Sequence, residues 1–257
     1  MTSPIETPNA VHGCIIMASG LGTRFGSNKL MADLDGAPLI AHAIRACDGL
    51  FAKRVAVTRH MDVAKTCRSL GVEAIQHDEP LRSDTVRLGM QAMDGCDTVT
   101  FIQADQPLIS ANTLAALLRG AEAHPELIWR VSFQGTPGAP VLFPAWAFDE
   151  LRALPPGKGG GFVAKAHAQR VRCVEAASKW ELFDVDTVQD LEVLQAHMRK
   201  CRDAAMSGQK PDRVAKRTIR CATRMPQSRA SRQGEPSDAP TRRPRSRTSP
   251  QSELTRP

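Results

Sequence analysis

The chain contains no Cys-x-x-Cys pair, and its seven cysteines, at positions 14, 47, 67, 96, 173, 201 and 221, stand singly and are odd in number. That argues against a structural zinc site and for a reducing compartment, the cytoplasm. Cys14, Cys96 and Cys173 lie in or beside apolar runs and read as small core residues. No apolar run approaches the roughly 18 residues of a membrane span, and no basic segment leading into an apolar one marks the N-terminus. The expectation is a soluble, unexported protein with no membrane partner. No internal repeat is visible. No His or Cys cluster competes for a soft metal.

An even spread of charge is also missing. The net charge is +7, but residues from Cys201 onward hold 14 basic side chains against 5 acidic ones. The first 200 residues hold 20 basic and 22 acidic side chains and are nearly neutral. The segment 208–257 is rich in Arg, Ser, Pro, Gln and Thr and has almost no large apolar residues after Ile219. Such a composition cannot offset ordering entropy, so a basic disordered tail is expected there. Arg242-Arg243-Pro244-Arg245-Ser246-Arg247 is basic enough to meet an anionic surface. No aromatics interleave to stack bases, so a nucleic-acid partner is not expected. Residues 1–11 read as a flexible N-terminus, and 12–200 as one domain.

Within that domain, strand-like and helix-like segments alternate. Strand patterns fall at 15–17, 54–58, 72–75, 98–103, 127–133, 140–143 and 170–174. Helical spacing falls at 38–47, 62–70, 84–93, 111–123, 147–154, 161–167 and 187–198. Ser110 suits an N-cap, and so does either Asp186 or Thr187. This alternation implies an α/β fold, a three-layer, Rossmann-like, mostly parallel sheet covered on both faces. Ligands of such sheets bind at the carboxyl ends of the strands.

Three segments lie at those ends. The first follows the apolar run of Val11, Cys14, Ile15, Ile16 and Met17. It is a loop with Gly20, Gly22 and Gly26, then Arg24 and Lys29. Glycines let backbone N–H groups approach a ligand closely, and two cations beside them suit a polyphosphate. The spacing is neither that of a P-loop nor that of a Rossmann fingerprint. A tight turn with two solvated charges is the architectural alternative. The second segment is Asp105, directly after the strand at 98–103, where a carboxylate could hold Mg²⁺ or simply cap the turn. The third is Asp184-Val185-Asp186, where Asp186 could complete an oxygen-ligand site with Asp105 as well as cap a helix. Ser83 and Asp84, ahead of another helix, could contact a base or ribose or serve as N-caps. Gly135–Pro140 and Gly157–Gly161 could line an acceptor pocket or only connect elements. Trp129, Trp146 and Trp180 read as core or rim residues.

The run Met17-Ala18-Ser19-Gly20-Leu21-Gly22-Thr23-Arg24-Phe25-Gly26-Ser27-Asn28-Lys29 resembles the Leu-Ala-Ala-Gly-x-Gly-x-Arg-x-Gly-x-x-Lys signature of nucleotidyltransferases with the nucleotide-diphospho-sugar transferase fold. Gln103-Ala104-Asp105-Gln106-Pro107-Leu108 resembles the family's Gly-Asp-Gln-Pro-Leu strand end. Gly138-Ala139-Pro140-Val141-Leu142-Phe143 and Asp184-Val185-Asp186-Thr187, with Asp190-Leu191, resemble motifs of its molybdenum cofactor cytidylyltransferase branch. The resemblance implies transfer of a nucleoside monophosphate, from CTP, to the terminal phosphate of molybdopterin, with release of pyrophosphate. It implies that Arg24 and Lys29 neutralise the triphosphate. Asp105 and Asp186 would hold Mg²⁺. Ala18, Ser19, Gly20, Leu21 and Gly22 would form the nucleotide loop. A molybdoenzyme receiving the cofactor is an implied partner. Use of GTP, a sugar-phosphate acceptor, or a non-catalytic role in cofactor insertion are the alternatives. Ser19 stands where the family usually has Ala or Gly, a position linked to base choice. Lys158 stands where the branch often has Asp.

Overall fold

The structure, a computed structural model, describes residues 10–206. The expected basic tail, Cys221 and most of the expected flexible N-terminus lie outside the described residues. A seven-stranded sheet is built from β1 (His12–Ala18), β4 (Lys53–Thr58), β5 (Glu73–Gln76), β6 (Thr98–Gln103), β7 (Ile128–Phe133), β8 (Thr136–Pro144) and β9 (Val171–Glu175). Its order is β5-β4-β1-β6-β8-β7-β9, and a small hairpin pairs β2 (Asp33–Leu34) with β3 (Ala37–Pro38). The helices are α1 (Leu39–Ala46), α2 (Met61–Ser69), α3 (Arg82–Gln91), α4 (Ala111–Ala123), α5 (Phe148–Arg152), α6 (Gly160–Ala166) and α7 (Val188–Met206).

Alternation along the central strands fills two cores, one on each face. In β1, Cys14, Ile16 and Ala18 pack with Leu39, Ile40 and Ile44 of α1, Val63 of α2, Leu114 and Leu117 of α4 and Leu194 of α7. Ile15 points the other way, to Val86 and Met90 of α3, Phe148 and Leu151 of α5 and Val163 of α6. A strand buried on both faces reads as a continuous apolar run, which is why residues 14–17 carry no polar alternation. Three layers result. On this sheet the pairs β1–β4, β1–β6, β4–β5 and β7–β9 are parallel.

β8 is the exception. It runs antiparallel to both β6 and β7 and starts at Thr136, within the glycine- and proline-rich stretch expected to be a turn. The tight turn at Gln134-Gly135 makes a hairpin of β7 and β8. Two other expectations change. The apolar pair Leu182-Phe183, which reads as strand-like ahead of Asp184, instead ends a 3-10 turn at Lys179–Leu182, with Phe183 as its C-cap. The last helix runs on to Met206, eight residues past its expected end. Among the described residues no helix is long and apolar enough to cross a membrane.

Candidate active site

The carboxyl ends of β1 and β6 lie side by side, because Met17 pairs with Gln103. From β1 the chain enters the glycine loop. Gly22 has φ +60°, and a Cβ there would lie 2.8 Å from the Ser27 carbonyl oxygen, so this position admits only glycine without strain. The loop is fastened from outside. The Thr58 hydroxyl donates to the Ala18 carbonyl at 3.0 Å, and His60 Nε2 bonds the Gly20 carbonyl at 3.1 Å. Ser19 Oγ donates to the Val57 carbonyl at 3.0 Å. Its hydrogen is then spent, so His77 Nε2–H donates to Ser19 Oγ at 2.8 Å. Burial, then Arg59, lowers the His77 pKa and keeps that imidazole neutral. Asn28, at the far end of the loop, donates to Asp62 of α2 at 2.9 Å and caps the short turn carrying Lys29.

Lys29 is the centre of the site. Its side chain is only 8% exposed, and its ammonium lies 2.7 Å from Asp105 Oδ2 and 2.8 Å from Asp186 Oδ1. Arg24, 72% exposed, holds Asp186 Oδ2 at 2.8 Å. Two motifs from opposite ends of the chain thus meet on one amine. The Val185 N–H donates to the Asp105 carbonyl at 3.0 Å and ties the third segment to the second. Thr187 and Asp190 form a reciprocal cap, with Asp190 Oδ2 accepting from Thr187 N at 2.8 Å and from Asp186 N at 3.1 Å. Thr187 is therefore the cap of α7, and Asp186 is left free to face the site. Asp184 accepts from Gln106 at 2.9 Å instead, and its pKa is raised by desolvation and by the neighbouring Asp105 and Asp186 charges.

The charges have a pH consequence. The Lys29 hydrogen bond holds Asp186 below the usual carboxylate range. Its ionisation therefore stabilises the fold above the unfolded value, about pH 3.9, and that stabilisation vanishes as pH falls through the lowered folded value. For Lys29, burial alone would lower the pKa, but the Asp105 and Asp186 carboxylates outweigh it and raise the net value. Its contribution is complete below the unfolded value, about pH 10.4, and is lost as pH rises through the folded one. Urea unfolding of Asp186→Asn across pH 3–6 should show a flatter acid limb than the parent. An unchanged slope would detach Asp186 from this pairing.

Two cavities open on this centre. The smaller, about 400 Å³, is walled by the loop residues Ser19, Gly20, Leu21 and Gly22 and by Arg59 and Pro80. The larger, about 1310 Å³, spreads over β8 and β7 and under α6. They share Met17, Arg24, Arg82, Gln103, Asp105 and Asp186. Both are large enough for a small-molecule ligand.

Three of the residues expected at the nucleotide stand off the smaller cavity. Ser83 does not line the smaller cavity. It is 7% exposed, and its Oγ accepts from Gly157 N at 3.1 Å, pinning the Gly157–Gly161 turn to α3. Asp84 does not line it either. It accepts from Leu81 N at 3.2 Å, so Leu81 is the N-cap and α3 begins at Arg82. Ala18 is buried and its carbonyl is taken by Thr58, so it supports the loop from behind. Ser83→Ala should cost about 1 kcal/mol of stability in thermal unfolding, from the lost hydrogen bond. It should leave nucleotide affinity unchanged, and a large loss in a nucleotide titration would return Ser83 to the site. The sequence reading missed Arg82, which lines both cavities one residue ahead of Ser83, and Arg130, a lone charge in the strand Ile128-Trp129-Arg130-Val131-Ser132-Phe133.

The MobA-like NTP transferase domain matches residues 14–171. The chain belongs to that family. Its relatives include a bifunctional protein GlmU of Acidiphilium cryptum, 34% identical over 108 residues, covering 40% of this chain and 24% of that protein. A 3-deoxy-manno-octulosonate cytidylyltransferase of Chlorobium chlorochromatii is 32% identical over 107 residues, covering 40% of this chain and 43% of the other. The chain thus spans between about a quarter and under a half of the length of these relatives. Among solved structures, a nucleotidyl transferase from Methanothermobacter thermautotroptrophicus superposes with a TM-score of 0.64 at 20% identity, covering 74% of this chain and 99% of the other. A CMP:2-keto-3-deoxy-manno-octonic acid synthetase complexed with CTP gives 0.59 at 18% identity, covering 74% and 99%. These two establish the shared nucleotidyltransferase fold, with its mostly parallel sheet and flanking helices.

Proposed function

We propose that this chain is a cytoplasmic nucleotidyltransferase that moves CMP from CTP to the terminal phosphate of a molybdopterin-type acceptor and releases pyrophosphate. The observation that carries the reading is the meeting of two cavities on one cluster of charge, Arg24, Lys29, Asp105 and Asp186. One cavity would take the nucleotide and the other the acceptor. The transfer would occur at their shared wall.

In this mechanism the loop backbone from Ser19 to Gly22 cradles the nucleotide, held in shape by Thr58, His60 and His77. Lys29 and Arg24 place positive charge on the triphosphate. An oxygen of the acceptor phosphate attacks the α-phosphorus in line. A new P–O bond forms as the bond to pyrophosphate breaks, and the leaving charge falls to the two cations. No side chain needs to act as a nucleophile. Positioning and charge stabilisation carry such a reaction.

The donor set suits a hard divalent cation. Two carboxylates already converge on one positive group, the Lys29 ammonium, and no His or Cys stands among them. Asp105 and Asp186 would hold Mg²⁺ together with phosphate oxygens. Bound there, it would offset charge developing on the phosphates. A manganese complex of the Rv0371c protein of Mycobacterium tuberculosis, superposing with a TM-score of 0.58 at 17% identity and covering 73% of this chain and 99% of the other, supports a divalent ion in this fold. The CTP complex and the cytidylyltransferase relative support cytidine as the base.

The test is pyrophosphate release with each nucleoside triphosphate in turn, with Mg²⁺, with and without molybdopterin. Release only with CTP and molybdopterin together is expected. Release with GTP or with a sugar phosphate would replace the base or the acceptor. Binding of a nucleotide without release under any condition would favour a role in cofactor insertion, with a molybdoenzyme as partner.

A further inference from the structure

Arg130 is the one cation of the larger cavity that stands on a strand of the sheet, and it has no counter-charge among the described residues. It stands at half-burial on β7, and its Nε and Nη2 both donate to a single neutral acceptor, the Gly138 carbonyl, at 3.1 and 2.8 Å. A guanidinium has five N–H donors. Three of the five therefore have no protein acceptor among the described residues. The nearest acid along the sheet is committed elsewhere, since Glu175 accepts from Ser132 Oγ at 2.8 Å and from the Gln134 N–H. Burial lowers the Arg130 pKa, and no carboxylate acts to restore it.

Its place in the sheet separates it from the transfer centre. Phe101 on β6, Val141 on β8 and Arg130 on β7 are register partners across three adjacent strands, so they share one face. Two strand spacings put Arg130 about 10 Å from β6. The nucleotide loop lies a further strand away, on β1, and Arg130 does not line the smaller cavity. Beside Arg130 the floor is apolar, with Phe101 and Val141, and Gln103, two residues on along β6, lies toward Asp105. Lys158 and Lys165 line the same cavity and form no ion pair among the described residues. A planar guanidinium held by one carbonyl, half-buried and with no carboxylate partner among the described residues, in a cavity that Lys158 and Lys165 also line, suits an oxyanion held bidentately.

We propose that the Arg130 guanidinium is an oxyanion subsite of the larger cavity, which receives a carboxylate or phosphate of the acceptor other than the phosphate that reacts. The proposal rests on the nucleotidyl-transfer reading of the site. It assigns the acceptor a class: a molecule with two anionic groups flanking an apolar or flat middle.

The full chain, labelled with ¹⁵N at arginine, gives a direct readout. The Arg130 Nε–H, bonded to Gly138, is assigned by its loss in Arg130→Lys. Inorganic phosphate and acetate are then titrated separately, first alone and then with MgCTP present. A saturable shift of the Arg130 signal that survives MgCTP is expected. A shift with phosphate alone assigns a second phosphoryl group, and a shift with both assigns a carboxylate-sized anion. The double variant Lys158→Gln/Lys165→Gln, altered only at exposed positions, should weaken that binding several-fold with its melting temperature intact. No shift with either anion, or a shift abolished by MgCTP, would overturn the proposal and leave Arg130 as a brace for Gly138. The readout needs no turnover. If MgCTP fails to bind while the phosphate shift persists, the transfer reading falls and the subsite stands.

Discussion

Replacing Lys29 with Met should lower nucleotidyl transfer about a thousandfold, in the range seen when one preorganised donor to a developing charge is removed. Among the described residues the ammonium is the one group that bonds both Asp105 and Asp186, and its side chain is almost fully enclosed. Met keeps the stem and its packing. What is lost is the charge that holds two carboxylates together and meets the triphosphate. Like charges left facing each other should cost about 1–2 kcal/mol, since Asp105 and Asp186 are 24% and 35% exposed and partly screened. The fold therefore survives while the reaction does not. Arg, which keeps the charge but changes its shape, should recover part of the rate. Initial rates and thermal unfolding on the same preparations check this. Turnover within a few-fold of the parent would remove Lys29 from the chemistry.

Phe143→Ala should remove about 3–5 kcal/mol of stability, the usual cost of an emptied aromatic site in a core. Phe143 is fully buried and meets Phe101 edge-on at a centroid distance of 5.8 Å. The backbone of α6 rests on it, since a Cβ at Gly160 would lie 3.0 Å from its ring. The lost ring also belongs to the wall of the larger cavity. Urea unfolding should show a much lower midpoint, and the surviving folded fraction should bind acceptor more weakly with nucleotide affinity little changed. A loss under 1 kcal/mol would mean that α6 collapses into the space. Phe143→Leu, which leaves a smaller void, should fall between the two.

The sheet was legible where its strands are buried on both faces. The segments at 98–103 and 111–123 have the expected limits because each combines a strong apolar pattern with a clear end, Asp105-Gln106-Pro107 for the strand and Ser110 for the helix. The direction of β8 was not legible. An apolar strand looks the same read either way, and Pro137, Gly138 and Pro140 carry turn chemistry although Thr136 and Pro137 pair with β7. The long α7 outran its pattern because Leu194 is its one fully buried residue, so the period fades after residue 198.

The site divides in the same way. Arg24, Lys29, Asp105 and Asp186 are legible from sequence because glycine spacing and strand ends fix where charge must go, and the structure brings all four together. Ser83 and Asp84 could be read as caps or as nucleotide contacts, and the chain uses Leu81 as cap with Asp84 one turn inside. The role of His77 behind Ser19 rests on a contact 58 residues apart, which no local pattern encodes.

The six residues common to both cavities give the protein a weakness as well as a workbench. Because Arg24, Asp105 and Asp186 face both compartments, a molecule reaching past that shared wall would lie across both. A nucleoside joined through a short phosphate bridge to a flat anionic body would meet the glycine loop with one end and Arg130 with the other. The second end would then bind at millimolar effective concentration, a gain of roughly 10²–10⁴ over either half alone. On the proposed reaction, the conjugated product would have the same shape. It should therefore leave slowly and be a strong inhibitor of its own synthesis, so that a receiving protein able to draw it out by the acceptor end would set the pace of the cycle.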